Sequence, residues 1–135
     1  MRKPACQPIL IVILIVGFAF HAIGVPNTKV VQTLCNGNTY SQDDPFKKSV
    51  DYVEEDLVEQ TASDSNKCDY LNISPFPISF AYGHATCNAT LSVQDRGECL
   101  KAARQSVQNT CGSAVGARVR LVDCSLRYEA YPFSD

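Results

Sequence analysis

The first segment with a clear pattern has apolar residues at helical spacing. They recur three or four positions apart, at Phe46, Val50, Val53 and Leu57. The residues Asp43-Asp44-Pro45, directly before them, are typical of a helix start. The pattern therefore predicts a helix with one buried face. Five acidic residues fall between the apolar positions, and we interpret them as a solvated face rather than a cation site: Asp51, Glu54, Glu55, Asp56 and Glu59.

A second segment repeats the helical spacing further along the chain. Its periodic positions are Cys99, Leu100, Ala103, Val107 and Cys111. Ser92-x-x-Asp95 has the form of a capping box at the start of a helix. Gly112 is the type of residue at which helices end. These positions predict a second helix.

Strand patterns occupy most of the remaining chain. Residues 25–35 alternate weakly and predict a first strand, followed by a turn at Asn36-Gly37-Asn38. Residues 68–87 are rich in β-branched and aromatic types on either side of Ser74–Pro77, which predicts two strands with a proline-containing connection. Residues 116–133 predict two more strands. We therefore expect an α+β fold of two helices and about five strands.

The last two strands suggest a specific register. A turn centred on Asp123-Cys124 would place Arg118 directly opposite Glu129. Because side chains alternate between the two faces of a sheet, the apolar residues then share one face and the charged residues share the other. The charged set is Arg118, Arg120, Arg127 and Glu129. Judged by these residues alone, the opposed Arg and Glu form a surface ion pair worth less than ~1 kcal/mol.

The first 24 residues have the pattern of a secretory signal peptide. Arg2 and Lys3 are followed by the apolar run of residues 9–20, and the small residues Ala22 and Gly24 favour cleavage after Gly24. The apolar run is shorter than the ~20 residues that a transmembrane helix needs. We therefore predict a secreted chain without a transmembrane anchor, whose single domain comprises residues 25–135.

Cysteines and charge narrow the class of this domain. An even number of cysteines in a small exported chain indicates a disulfide framework, although several pairings are possible. The six are Cys35, Cys68, Cys87, Cys99, Cys111 and Cys124. Zinc-type spacings are absent and His84 is the only histidine after residue 24, so neither a metal nor another cofactor is expected. Without Arg2 and Lys3, ten basic residues face fourteen acidic ones. The resulting net charge of −4 disfavours nucleic acid and anionic lipid as partners.

The last third of the chain carries the most specific motifs. It contains YGHATC…GECL…C…GARVRLVDCSLRYE, between Tyr82 and Glu129. This combination closely resembles the plant ginkbilobin-type antifungal proteins, which are single copies of a cysteine-rich module found, usually doubled, in the ectodomains of plant cysteine-rich receptor-like kinases. The resemblance covers residues 25–135. It implies two helices packed on an antiparallel sheet of about five strands, with disulfides Cys35–Cys111 and Cys99–Cys124.

One motif departs from the family. The family's C-x8-C-x2-C reads Cys87-x8-Arg96-x2-Cys99 here, so the family's third bridge, from Cys87, cannot form. A hairpin that turns near Ser74–Pro77 would pair Cys68 with a residue near positions 81–83, several positions short of Cys87. We therefore expect Cys68 and Cys87 to be two reduced thiols or to form an intermolecular bond.

The resemblance also implies a mannose-binding site. In the family an Asn, an Arg and a Glu bind mannose, and these map to Asn36, Arg118 and Glu129. The chemistry suits a sugar, because the guanidinium only donates hydrogen bonds, the carboxylate only accepts them, and the amide does both. If Cys35 is bonded to Cys111, Asn36 lies near the start of the Arg118 strand. The expected function is a defence lectin, secreted to the apoplast, that binds mannose or mannan of fungal cell walls, and it could act as an oligomer.

Other classes of function remain open. A small disulfide-linked domain could inhibit a protease, or could protect a seed or embryo without binding a sugar. Catalysis is not expected, since His84 and Cys87 lie three residues apart in a predicted strand and would point to opposite faces. Asn72-Ile-Ser74 and Asn88-Ala-Thr90 match the N-glycosylation pattern, but matching does not show that either is used.

Overall fold

A computed structural model describes residues 25–135. The predicted signal peptide, residues 1–24, lies outside the described residues. In chain order the elements are β1 (Val30–Cys35), α1 (Pro45–Thr61), β2 (Asp69–Ile73), β3 (Tyr82–Cys87), α2 (Val93–Cys111), β4 (Ala117–Leu121) and β5 (Cys124–Glu129). All neighbouring strands are antiparallel, and the sheet order is β1-β4-β5-β3-β2. The predicted α+β architecture of two helices and five strands is confirmed.

Helix α1 begins where the sequence predicts. The Asp44 side chain accepts a hydrogen bond from the backbone N–H of Phe46 at 2.9 Å, and Pro45 occupies the first turn. The apolar stripe is buried, with Val53 and Leu57 fully so. One part of the prediction is wrong: Glu54, assigned to the solvated acidic face, is only 2% exposed. It faces α2, where Gln108 donates a hydrogen bond to its carboxylate at 3.2 Å.

Helix α2 follows its predicted boundaries closely. The Ser92 hydroxyl accepts a hydrogen bond from the backbone N–H of Asp95 at 3.1 Å. At the other end Gly112 has φ of 56°, a conformation that residues with a β-carbon rarely adopt. The two helices cover one face of the sheet, and the largest buried side chains there include Leu100, Leu126 and Tyr128. We call this the covered face and the opposite side the open face.

The β4–β5 register differs from the prediction by two residues. Arg118 pairs with Arg127, not with Glu129, and Glu129 pairs with Tyr82 of β3 instead. The turn lies at residues 122–123, one position earlier than expected. A shift of two residues preserves which face each side chain occupies. The predicted separation of apolar and charged faces is therefore correct, although the predicted cross-strand partner of Arg118 is wrong.

The expectation for Cys68 and Cys87 is also wrong. The structure joins them in a disulfide, with Cα atoms 5.1 Å apart. The connection between β2 and β3 is longer than predicted and is closed by a hydrogen bond from the Ser74 N–H to the Ala81 carbonyl at 3.0 Å. This longer loop moves the register, so that the Cys87 N–H donates to the Cys68 carbonyl at 2.9 Å. The two cysteines are consequently direct cross-strand neighbours.

Arg96 is buried. Its guanidinium donates to the carbonyls of Ala89 at 2.7 Å and Leu91 at 3.0 Å, and lies 3.4 Å from that of Ala62. These contacts connect the start of α2 to the end of α1. Hydrogen bonds from one buried cation thus hold these two segments together.

Candidate functional site

Two disulfides match the pairs that the family resemblance implies. Cys35–Cys111 has Cα atoms 5.3 Å apart, and Cys99–Cys124 has them 6.1 Å apart. The first joins the end of β1 to the end of α2. One residue later the Asn36 N–H donates to the Gly116 carbonyl at 2.9 Å, which extends the β1–β4 pairing. Asn36 is therefore held beside the strand that begins with Ala117 and carries Arg118.

The side chain of Asn36 is oriented by its own turn. Its Oδ1 accepts a hydrogen bond from the Asn38 N–H at 2.9 Å. Its Nδ2 makes no hydrogen bond to any other part of residues 25–135, and the residue is exposed. The turn thus fixes the amide and leaves its two N–H groups for a ligand.

The three predicted residues line one open cavity of about 210 Å³ at the edge of the open face. We call it the Asn36 cavity. Its lining consists of Leu34, Cys35, Asn36, Gly116, Ala117, Arg118, Arg127, Glu129 and Tyr131. Glu129 is diagonal to Arg118 across β4 and β5 rather than opposite to it. The juxtaposition of Asn36, Arg118 and Glu129 therefore arises by a different register from the one predicted.

Gly116 makes room for the carboxylate of Glu129. A β-carbon at position 116 would overlap Oε1 of Glu129. Since Gly116 is also part of the cavity lining, its lack of a side chain determines where that carboxylate can lie. The Gly-Ala-Arg run is the sequence signal for this glycine, but the run alone does not indicate that the glycine makes room for a carboxylate.

Arg127 is the ion-pair partner of Glu129. Glu129 is only 9% exposed, and its Oε2 accepts a hydrogen bond from Arg127 Nε at 2.8 Å. Burial lowers the pKa of Arg127, but the hydrogen bonds to Glu129 and Asp135 outweigh this effect and raise it. The contact between the guanidinium and the carboxylate is a charge-assisted hydrogen bond, which fixes the orientation of the Glu129 side chain. The alternation of side chains along the strand predicts that Arg127 lies on this face, but it does not predict the contact with Glu129.

Two further residues of the open face were missed by sequence reasoning. Tyr131 forms part of the cavity wall and is 52% exposed. Asp135 contacts Arg118, Arg127 and His84 from a segment without regular secondary structure. Neither position belongs to a periodic pattern, so nothing in the local sequence indicates where these side chains lie.

The His84–Cys87 pair considered for catalysis does not form. Cys87 is bonded to Cys68, while His84 contacts Asp69 and Asp135 on the open face. Within residues 25–135 no cluster of three potential metal ligands occurs. In the same range no helix has both the length and the apolar character needed to cross a membrane.

Sequence comparisons show which known proteins the chain resembles. The family described as salt stress response/antifungal matches residues 34–131. The chain is 33% identical over 110 residues to the antifungal protein ginkbilobin-like protein 2 of Picea glauca, covering 82% of this chain and 83% of that protein. It is 32% identical over 107 residues to antifungal protein ginkbilobin-2 of Ginkgo biloba, covering 79% and 80%.

Two solved structures share the fold. They are the tandem DUF26 ectodomains of the Arabidopsis thaliana cysteine-rich receptor-like proteins PDLP8 and PDLP5. The PDLP8 structure has a TM-score of 0.63 and is 30% identical over 77% of this chain. The PDLP5 structure has a TM-score of 0.69 and is 17% identical over 78% of this chain. The chain spans 45% and 51% of these ectodomains. It is therefore similar to about half of each tandem structure.

Proposed function

Because the chain belongs to the salt stress response/antifungal family, we propose that it is an extracellular antifungal lectin that binds mannose or mannan in the Asn36 cavity. One observation carries this proposal: three side chains with different hydrogen-bonding capacity, Asn36, Arg118 and Glu129, line a single cavity open to solvent. The names of the ginkbilobin-like relatives support the antifungal role.

The cavity suits the hydroxyl groups of a sugar. Neighbouring hydroxyls of a pyranose both donate and accept hydrogen bonds, so they are best bound by a donor and an acceptor side by side. Arg118 and the amide nitrogen of Asn36 donate, and the Oε1 atom of Glu129 accepts. With about 210 Å³, the cavity is smaller than drug-sized pockets, which begin near ~300 Å³. This size favours one sugar ring.

Apolar walls complement the polar groups. Leu34 and Tyr131 both line the cavity and are 50% and 52% exposed. A pyranose has apolar C–H groups on its ring faces, and an aromatic side chain with a polar tip can contact such a surface while remaining partly hydrated. Tyr131 is therefore the aromatic residue that we assign to sugar stacking.

The expected affinity for one sugar is low. A shallow monosaccharide site of this kind has a dissociation constant on the order of 1 mM, or about −4 kcal/mol. Binding to a fungal wall would gain strength from the many copies of the ligand in the polymer. The relevant interaction is then with mannan, not with free mannose.

Retention on immobilised neutral mannan tests the proposal. Arg118→Ala and Glu129→Ala should each lose retention, because the first removes the donor and the second removes the acceptor of the pair. Arg120→Ala is the matched control, since Arg120 lies two positions further along β4, on the open face and outside the cavity. Circular dichroism should confirm that all variants fold. Equal retention of the wild type and Arg118→Ala would contradict the proposal.

Protease inhibition is a second candidate, favoured by the loop between β2 and β3. Ile78 in this loop is 85% exposed. The loop is braced, because Ser74 Oγ accepts from the Ala81 N–H at 2.9 Å and Ser49 Oγ donates to the Ser79 carbonyl. A rigid loop with an exposed apolar side chain can bind a protease at low entropic cost. An inhibition assay with an aspartic protease separates the candidates: Ile78→Glu should abolish inhibition, whereas Arg118→Ala should not.

A further inference from the structure

A row of side chains crosses all five strands on the open face. Register partners in adjacent antiparallel strands point to the same side, so the row can be read from the pairing. It consists of Leu34, Arg118, Arg127, His84 and Leu71. Its three central members are two guanidinium groups and an imidazole. Adjacent cations repel each other, so this arrangement favours an anion among them.

The carboxylate of Asp135 provides that anion. Its Oδ1 accepts hydrogen bonds from Arg118 Nη2 at 2.6 Å and from Arg127 Nη1 at 2.5 Å. Its Oδ2 lies 2.7 Å from His84 Nδ1. Both oxygens of one carboxylate are therefore engaged, by three side chains from three strands. Burial raises the pKa of Asp135, but hydrogen bonds from His84 and Arg127 outweigh this effect and lower it. The carboxylate of Asp135 is therefore kept in its charged form.

Asp135 has few other attachments to the fold. It belongs to the segment after β5, residues 130–135, which forms neither helix nor strand. The Phe133 ring, 3.9 Å from the Arg127 guanidinium carbon, is the other anchor of this segment on the charged row. The Asp135 side chain remains 23% exposed. A carboxylate held in this way can be displaced without unfolding any element.

The carboxylate position adjoins the Asn36 cavity. Arg118 and Arg127 line that cavity and also contact Asp135, whereas His84 contacts Asp135 and Asp69 and does not line the cavity. A ligand whose ring hydroxyls lie against Asn36 and Glu129 would thus have the cationic row next to it. An acid group on that ring is the chemistry that the row would recognise.

We propose that Arg118, Arg127 and His84 form a carboxylate subsite, which Asp135 fills in the free protein and which the carboxylate of an acidic sugar fills in the complex. This inference rests on the proposed saccharide site, because the two share Arg118 and Arg127. It assigns hexuronate-containing glycans as the preferred ligand class. Asp135 is then an internal competitor that lowers the affinity for acidic sugars.

Mannose and mannuronate provide a matched pair of probes, since they differ only at C6. Nuclear magnetic resonance titrations of the wild-type chain at about pH 6 and low salt, where His84 is charged, should give about tenfold tighter binding of mannuronate than of mannose. Asp135→Ala should tighten mannuronate binding by a further factor of about three to ten and leave mannose binding within about twofold. Ser134→Ala, a neighbouring exposed position, is the control and should change neither.

His84→Gln supplies an independent arm, because His84 lies outside the Asn36 cavity. This variant should weaken mannuronate binding and spare mannose binding. If the wild type and Asp135→Ala bind mannuronate no better than mannose, the carboxylate subsite is overturned while the mannose site stands. If neither sugar binds, both proposals fail. If His84→Gln weakens both sugars equally, the acid subsite is not separate and the inference is wrong.

Discussion

The two faces of the sheet differ in the kind of contact that their side chains make. On the covered face, apolar side chains from both helices pack against β3, β4 and β5, and Val119 and Leu126 are fully buried. On the open face, charged groups contact one another at 2.5–2.8 Å, as Arg127 does with Glu129 and Asp135. The covered face therefore accounts for stability through burial. The open face holds polar groups in fixed positions, which is what recognition of a polar ligand requires.

This contrast implies that substitutions on the two faces should have separable effects. A change on the covered face should lower the free energy of unfolding without a specific effect on sugar binding. A change on the open face should alter binding while stability changes little. The following predictions run from the largest expected effect to the smallest.

Gly83→Ala should have the largest effect, on the covered face. A β-carbon there would overlap Val53 and the side chain of Asn72, and would lie 2.9 Å from Leu57. Because α1 packs directly on β3 at this point, the helix would have to move, at a cost of about 3 kcal/mol in unfolding free energy. Urea denaturation measures this loss.

Gly97→Ala is the matched control for that substitution. Gly97 lies inside α2, and a β-carbon there meets nothing within 4 Å. The control should be stabilised by about 0.5–1 kcal/mol, since alanine favours helix over the unfolded chain. Equal effects of the two substitutions would contradict the packing that we describe at Gly83.

Glu54→Gln should show how much the buried acid on the covered side lowers the free energy of unfolding. Burial raises the pKa of Glu54 from 4.5 to about 7, although the Gln108 hydrogen bond and Arg104 oppose the shift. A raised folded-state pKa means that stability is full below about pH 4.5 and is lost as the pH rises through 7. The variant should therefore be more stable than wild type by about 2 kcal/mol at pH 8, and this gain should vanish near pH 5.

Thermal unfolding at several pH values measures this difference. Glu55→Gln is the control, because Glu55 is the exposed neighbour on the same helix. Its stability should follow that of the wild type at every pH. A pH-independent difference between Glu54→Gln and wild type would show that Glu54 does not titrate in this range.

Gly116→Ala should affect the open face alone. The new β-carbon would displace the Glu129 carboxylate, and this flexible side chain can move without shifting the backbone. We expect about tenfold weaker mannan binding, equivalent to about 1.4 kcal/mol, with stability changed by less than that. Gly37→Ala is the control, since a β-carbon next to Asn36 meets nothing within 4 Å. Unchanged mannan binding by Gly116→Ala would exclude Glu129 from the site.

His84→Gln should have the smallest effect on stability. Burial lowers the pKa of His84, but hydrogen bonds to Asp135 and Asp69 raise it above the ordinary value of 6.5. A raised histidine pKa stabilises the fold below pH 6.5, and this contribution is lost as the pH rises through the folded value. The wild type should thus gain stability relative to the variant between pH 8 and pH 6. The opposite sign would mean that His84 is neutral in the folded protein.

The sequence predicts the covered face well, because burial imposes periodicity. Val50, Val53 and Leu57 could be assigned from spacing alone, and Ser92 from its capping role. Glu54 could not, since a buried acid looks like a surface acid in a helical pattern. Its burial depends on Gln108 of the other helix.

The open face could be predicted only in part, for physical reasons. Alternation fixes the face of a side chain but not its partner, so the β4–β5 register could be wrong by two residues while every face was right. The Cys68–Cys87 bridge depends on the length of the β2–β3 loop, which turn residues did not determine. The contact of Asp135 with Arg118 follows from the path of a segment without regular structure, and no local pattern encodes that path.

The most direct test of the account is a residue-resolved titration of the chain with methyl α-mannoside, followed by backbone amide resonances. The account predicts that the amides of Asn36, Arg118 and Glu129 shift together with one dissociation constant, while those of the covered face do not move. Shifts confined to the β2–β3 loop or to the helices, or none at all, would contradict the claim that these three residues form a saccharide site.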